Sequence, residues 1–378
     1  MVKKSKILIV DDSKLNRAVI RKTLSGLDMI LTECENGEEA LEQILSDKFD
    51  LVLTDTIMPK VDGIQLIKEI KQNQSLDFLP VILMTGNDSV DSKIMGLNIG
   101  ADDFLQKPIN QKELVARVYS LLRLKSMHDL LYEKNKLIEN ELEAAKKVQQ
   151  FIIPEHFDFI EYPKVSGFYK PMEDIGGDFY DCYNLPRGKK GFLIADVTGH
   201  GIPAALVVTM TKMIFNIYAS QFLSTKDLFN LVNNEVHDLL LTGQYLSSFY
   251  AIYDPRKQII RFSNAGHVLP LLYKSRTGKI YEIDTEKGFF IGIVKDCEYD
   301  QKAVKIEKGD RLLMYTDGLT ELKNEVKEEY GTERLKEFLK INHSVKGNDF
   351  CKNLYKEVLS YSYKKIRNDD IAFLYIEF

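Results

Sequence analysis

The chain has 378 residues, 44% of them hydrophobic and 28% charged, with a formal net charge of −5. That length suggests two or three domains with ample apolar material for their cores, and the slight acidic excess favours neither nucleic acid nor an anionic membrane as a partner. Cys34, Cys182, Cys297 and Cys351 lack CxxC spacing, so they read as reduced core residues of a cytosolic protein and not as a disulfide frame or zinc site. No apolar signal region opens the chain and no apolar run is long enough to cross a bilayer, which also predicts a cytoplasmic location.

The first apolar run, Lys6 to Val10, ends in Asp11-Asp12. A short run that meets paired acids has the pattern of a buried parallel strand whose carboxyl end reaches solvent. A helical segment follows from Ser13, a residue suited to an N-cap, to Leu27. The alternation then repeats. Phe49 to Thr54 leads to Asp55, Pro80 to Met84 leads to Thr85-Gly86, and Asp103-Phe104-Leu105 leads to Lys107-Pro108. Amphipathic segments such as Glu38–Leu45 and Ile64–Lys71 lie between them. Strand and helix in turn predict an α/β domain with a doubly wound parallel sheet. The site of such a sheet lies beyond the carboxyl ends of its strands.

That rule gathers Asp11, Asp12, Asp55, Thr85 and Lys107 at one edge. Three carboxylates in one pocket repel each other unless a cation sits among them, and Mg²⁺ prefers a few carboxylates plus waters and phosphate oxygens. Lys107 is a mobile point charge suited to a phosphoryl group. Thr85 offers a hydroxyl to the same oxygens, and Asp55 is a nucleophile that can accept the group. Val10-Asp11-Asp12, Asp55 followed by Met58-Pro59 and Gly63, Thr85, and Lys107-Pro108 resemble the receiver domain of bacterial two-component response regulators, over residues 1–124. The resemblance implies a five-stranded sheet, Asp55 as phosphoacceptor, and Asp11 and Asp12 holding Mg²⁺ beside it. It also implies Thr85, Phe104 and Lys107 as switch residues, a cis bond before Pro108, and a histidine kinase as partner.

No Gly or Pro interrupts the chain between Pro108 and Pro154. Leu121, Leu124, Met127, Leu131, Leu137/Ile138, Leu142, Ala145, Val148 and Ile152 recur at helical spacing. Leu124, Leu131, Ile138 and Ala145 also fall seven apart, the seam of a two-stranded coiled coil. Residues 125–153 are therefore expected to form a helical connector that pairs with a second copy. A solvated spacer helix is the alternative.

Pro154 stops that helix, and residues 154–378 turn to β pattern. Val165–Tyr169, Asp178–Leu185 and Gly191–Val197 read as strands, followed by helical segments near Pro203–Ala219 and Thr225–Leu241. Ser247–Tyr253 and Gln258–Ser263 flank a hairpin signal, and a second hairpin runs through Arg276-Thr277-Gly278. A strand at Leu312–Tyr315, helices at Thr332–Leu339 and Asp349–Ser360, and a last strand from Ile371 complete an α+β pattern with antiparallel sheets.

The acids of this half sit at strand ends beside turn residues. Asp178 follows Gly176-Gly177, Asp196 precedes Thr198-Gly199-His200-Gly201, Asp317 precedes Gly318, and Asp369-Asp370 precedes the final strand. Widely spaced Asp without Cys or a His pair argues for hard, oxygen-bound Mg²⁺ or Mn²⁺. Several carboxylates can share two such ions and activate a water. Glu173 to Asp181, Asp196 to Leu206, Asn264-Ala-Gly-His267, Tyr315 to Glu321 and Asp369-Asp-Ile371 resemble the metal-dependent (PPM-type) serine/threonine phosphatases, in the branch with the sporulation stage II E phosphatase and stress-response sigma regulators. Glu143 to Pro154 is similar to the segment that precedes the domain in that branch. The resemblance implies two packed antiparallel sheets flanked by helices and two Mn²⁺ or Mg²⁺ ions. It places the ions on Asp178, Asp196, the Val197 carbonyl, Asp317 and the Asp369/Asp370 pair. Ala372 stands where the family often has Thr. His200 and His267 read as hydrogen-bonders that fix loops, Glu173 and Asp181 as surface acids, and Phe179, Tyr180 and Tyr183 as packing residues.

Two functions follow. One is a phosphatase under receiver control, acting on a phosphoprotein that the resemblance suggests is an anti-sigma-factor antagonist. The other is a partner-switching adaptor whose phosphatase-like domain only docks. Retention of Asp178, Asp196, Asp317 and Asp369 favours the enzyme.

Overall fold

The structure is a computed structural model that describes residues 4–73, 76–86, 99–154, 156–240, 243–286, 288–367 and 369–378. The chain divides into two compact units, Met1–Glu139 and Asn140–Phe378.

In the first unit, strands β1 (Ser5–Val10), β2 (Met29–Cys34), β3 (Leu51–Asp55), β4 (Val81–Thr85) and β5 (Asp103–Gln106) form one parallel sheet in the order β2-β1-β3-β4-β5. Alternate residues of the strands face opposite sides. Leu8, Val10, Val52 and Leu83 pack with Ala40 and Ile44 of α2 (Gly37–Ser46) and with Leu66, Ile67 and Ile70 of α3 (Gly63–Gln72). Ile7, Ile9, Leu51, Leu53, Ile82 and Met84 pack with Ile20 and Leu24 of α1 (Lys14–Leu24) and with Leu114, Val118 and Leu121 of α4 (Gln111–Ile152). The helices begin where the capping chemistry puts them. Side chains of Ser13, Asn36 and Asp62 accept hydrogen bonds from the amides of Asn16, Glu39 and Gln65. The edge strand β2 was not evident from the sequence. It is mostly half-buried, so its apolar pattern is diluted.

Helix α4 runs 42 residues without a break. Its early apolar residues are core, whereas Leu124, Leu131 and Ile138 of the seven-residue seam are each about half exposed or more, at 48%, 62% and 53%.

The second unit is a sandwich. One antiparallel sheet has the order β13-β10-β9-β8-β7, from β7 (Asp178–Asn184), β8 (Lys190–Val197), β9 (Leu246–Asp254), β10 (Ile259–Ala265) and β13 (Lys302–Lys305). The other has the order β12-β11-β14-β15-β6, from β6 (Lys164–Lys170), β11 (Leu271–Lys274), β12 (Lys279–Glu282), β14 (Arg311–Tyr315) and β15 (Ile371–Glu377). Ile194, Phe249, Leu312, Met314 and Leu374 meet in one core between the sheets. Val208, Phe215, Phe229 and Val232, from α5 (Ile202–Tyr218) and α6 (Thr225–His237), extend that core over the first sheet. On the second sheet Leu335, Leu339, Phe350 and Leu354, from α7 (Gly331–Ile341) and α8 (Gly347–Tyr361), pack on Phe373 and Tyr375. Helix α6 closes at His237, and Leu241, the end read from the sequence, lies outside the described residues. Among the described residues no helix is long and apolar enough to cross a membrane.

Candidate functional site

At the carboxyl edge of the parallel sheet, one carboxylate oxygen from each of Asp11, Asp12 and Asp55 lies within 4.8 Å of the others. Asp11 is fully buried and Asp12 exposed. The Lys107 ammonium stands between two of them, 2.9 Å from Asp11 and 2.8 Å from Asp55. Burial pushes the Asp55 carboxyl above the usual range, with Lys107 opposing the shift. Burial works against the charge of Lys107, but Asp11 and Asp55 outweigh it and hold its pKa high. The peptide bond between Lys107 and Pro108 is cis. Thr85 is buried at the end of β4. Phe104 lies on β5 with the Arg117 guanidinium 5.4 Å from its ring centre. Arg117 also pairs with Asp103 and Glu113.

Two supporting residues escaped the sequence reading. Asn16 donates to both oxygens of Asp11 at 3.1 Å, and the buried Arg17 donates to the Asp11 carbonyl at 2.7 Å while pairing with Glu33 and Glu35. Their spacing after Asp12, one turn into α1, is the signal that was available. Three hard-oxygen donors in a half-buried pocket suit Mg²⁺.

The acids of the second unit are brought together by strand register. Asp178 opens β7 and Asp196 stands directly opposite it near the end of β8. Asp317 follows β14 and starts a single 3₁₀ turn, Asp317–Leu319. Thr316 before it is tied to Ala372 by three hydrogen bonds, so the chain before β15 delivers Asp369 and Asp370 beside Asp317. Burial, then Asp196 and Asp370, pushes Asp178 well above the usual carboxylate range. Asp196 is pushed up to about 7 by burial, then by Asp317 and Asp369. Asp317 and Asp369 are raised as well, burial first in each.

Asp178 Oδ2 is buried and has no hydrogen-bond partner in the protein. A cluster of carboxylates that resists ionisation, with one buried oxygen left unsatisfied, is costly alone and fits hard divalent cations. Val197 is buried at the end of β8, its carbonyl packed against Gly177.

Asp370 has a different task from its neighbours. Its Oδ1 accepts from the Met172 amide at 2.6 Å, and its Oδ2 accepts from the amides of Gly177 at 2.6 Å and Asp178 at 3.3 Å. It therefore orders the turn that carries Asp178. A Cβ on Gly176 would stand 2.1 Å from that carboxylate, so the close approach requires glycine. Asp181 corrects the sequence reading. It is not a surface acid but is buried and 3.1 Å from Lys212 of α5. Three residues beyond Asp178, it points to the opposite face of β7, which α5 covers. Glu173 is about half exposed and faces His200 at 3.4 Å. His267 is buried, with Nδ1 2.6 Å from the Ser247 hydroxyl and Nε2 3.0 Å from the Tyr315 carbonyl. The carbonyl can only accept, so Nε2 carries the proton and Nδ1 accepts from Ser247. Phe179, Tyr180 and Tyr183 are core.

These two units define a response-regulator receiver joined to a PP2C-type phosphatase domain. The family profile of Stage II sporulation protein E (SpoIIE) matches residues 186–378, half of the chain, and that of the response regulator receiver domain matches residues 7–119. The chain belongs to the stage II sporulation protein E family and carries a receiver domain at its N-terminal end. Response regulator MprA of Mycobacterium ulcerans is 38% identical over 124 residues, 33% of this chain and 53% of that protein. The chain thus spans about half the length of the curated relatives it matches first. The SiaA-PP2C domain of Pseudomonas aeruginosa superposes with a TM-score of 0.56 at 19% identity, covering 65% of this chain and 98% of that one. The RsbU and RsbW domains of Rv1364c from Mycobacterium tuberculosis give 0.51 at 20% identity, covering 57% and 60%. At those identities the likeness is one of fold.

Proposed function

We propose that this chain is a response regulator in which phosphorylation of Asp55 by a histidine kinase controls a metal-dependent protein serine/threonine phosphatase. Its substrate on this reading is a phosphorylated anti-sigma-factor antagonist, following the sigma-regulator branch that the motifs resemble. The observation that carries the proposal is the buried Asp178 oxygen without a partner among acids whose protonation is favoured by burial and by each other.

In the receiver, Asp55 attacks the phosphorus of the donor. A P–O bond forms to the carboxylate as the bond to the leaving group breaks. Lys107 and the Thr85 hydroxyl meet the phosphoryl oxygens, and Asp11 and Asp12 with Asp55 would hold Mg²⁺. In the second domain, Asp178, Asp196, the Val197 carbonyl, Asp317 and Asp369 would hold two Mn²⁺ or Mg²⁺ ions. Such ions offset the charge of the phosphoryl oxygens and activate a water as nucleophile. Asp370 keeps the Asp178 turn in place, and His267 ties the Asn264–His267 turn to Tyr315, two residues before Asp317. The receiver occupies residues 1–124, the connector 125–153 and the phosphatase domain 154–378. The exposed seam of Leu124, Leu131 and Ile138 pairs with a second copy.

The test is hydrolysis of p-nitrophenyl phosphate by the full chain with and without Mn²⁺, before and after acetyl phosphate. Metal-dependent turnover that acetyl phosphate raises, and that no longer responds in Asp55→Ala, is the expected result. A chain that retains a phosphoprotein without metal-dependent turnover is the adaptor instead.

A further inference from the structure

We propose that Gln149, on the last full turn of α4, is a positioning residue that sets the place of Asp178 through the backbone of Gly176. The inference rests on the reading of the aspartate cluster as a metal site.

Gln149 is 5% exposed, although most of the helix around it is wet. Its Nε2 donates to the Gly176 carbonyl at 2.7 Å, and its Oε1 accepts from the Gly176 amide at 3.1 Å and from the Tyr169 hydroxyl at 3.3 Å. The side-chain amide thus pairs with Gly176 as a neighbouring strand would. Residues 171–177 belong to no helix or strand, so nothing regular fixes the approach to β7. The turn is held from outside on two sides. Asp370 takes the amides of Met172, Gly177 and Asp178, and Gln149 takes both polar groups of Gly176. One anchor comes from the sheet and the other from the connector.

A second tie lies just past Asp178. The Lys212 ammonium donates to the Ile152 carbonyl, in the closing turn of α4, and pairs with Asp181 of β7 at 3.1 Å. The end of the helix is therefore fastened on either side of Asp178, two residues before it and three after. A slide or rotation of that helix end breaks the Gln149 pairing or drags Gly176 with it. In the first case the Asp178 turn keeps only its Asp370 anchor, and in the second Asp178 is pulled relative to Asp196, Asp317 and Asp369. A merely structural Gln149 would satisfy two buried backbone groups and do nothing more. The two roles differ in what they do to metal affinity.

The experiment uses the full chain carrying Asp11→Ala and Asp12→Ala, so that the receiver acids do not contribute to binding. Mn²⁺ affinity by calorimetry, and hydrogen exchange of the amides in residues 172–178, are measured for this parent, for Gln149→Met and for Gln149→Glu. Residues that hold a metal ligand in place are worth roughly 10- to 100-fold in affinity when removed. Gln149→Met is therefore expected to weaken Mn²⁺ binding at least about tenfold and to speed exchange at Gly176 and Gly177. Gln149→Glu, which keeps the acceptor and loses the donor, should fall between. Unchanged affinity overturns the proposal, whether or not exchange speeds up or the melting temperature drops. If the parent itself takes up no Mn²⁺, the metal-site reading fails. The exchange data still decide whether Gln149 holds the Asp178 turn.

Discussion

Asp178 and Asp196 face each other as direct cross-strand partners at the mouth of the sandwich. Like charges in that relation destabilise a sheet, and here both carboxyls are driven towards the protonated form. The Asp196 carboxyl, with a folded pKa of about 7, keeps a proton that the unfolded chain releases near pH 4. A raised folded pKa means stability that is present at low pH and lost as pH rises through it. Metal-free protein should therefore lose this contribution between about pH 4 and pH 7. Asp196→Asn should be at least as stable as the parent at pH 8 in EDTA, while its Mn²⁺-dependent turnover falls by orders of magnitude. Urea titrations beside rate measurements check both halves.

His267 tilts stability the other way. Burial holds its pKa down at about 4, so the unfolded chain binds a proton that the folded chain refuses between about pH 6.5 and pH 4. This contribution is full above pH 6.5 and declines as pH falls, by on the order of 3 kcal/mol in all. His267→Gln should flatten that stretch of the profile. Thermal melts of the two proteins from pH 4.5 to 7.5 read the difference directly.

The Lys212–Asp181 pair is almost wholly buried, with the two side chains 8% and 10% exposed. Removing one partner leaves a buried charge alone, which costs roughly 3–5 kcal/mol. Lys212→Met should destabilise on that scale, and Lys212→Met with Asp181→Leu should recover most of the loss. If the single variant melts like the parent, the pair does not carry the stability that its burial implies.

For the connector, the proposed pairing predicts that Leu131→Lys with Ile138→Lys charges the exposed seam and keeps two copies of the helix apart. Light scattering should then report a monomer, and acetyl phosphate should label Asp55 without changing hydrolysis. A variant that stays dimeric and still responds removes pairing as the route of the signal.

Strand-end acids made much of both sites readable. Asp11, Asp55, Asp196 and Asp317 each close an apolar run, and a run of that kind has few other places to end. The unbroken helix was readable for a similar reason, since Pro108 and Pro154 bracket it and nothing between them breaks it. Partners that meet only in three dimensions were not readable. Gln149 looks like any other polar residue on a helix, because its partner is a backbone peptide 27 positions later. Asp370 could not be told from Asp369, because adjacent residues share every local signal and differ only in which way the backbone turns them. Asp181 passed for a surface acid because its cover, Lys212, lies on α5, and a lysine is rarely expected inside.

The Arg117 guanidinium above Phe104 has a consequence for how α4 is fastened. Beneath it, Leu114, Val118 and Leu121 seat the helix on the sheet by apolar contact that salt does not weaken. At the rim, Arg117 holds Asp103, Glu113 and the aromatic face together. Turning the ring away strips one of these three holds and leaves two partly wet ion pairs, which the ionic atmosphere screens. The helix root is thus a latch with a greasy hinge and an electrical catch. Ionic strength loosens the catch without unseating the hinge.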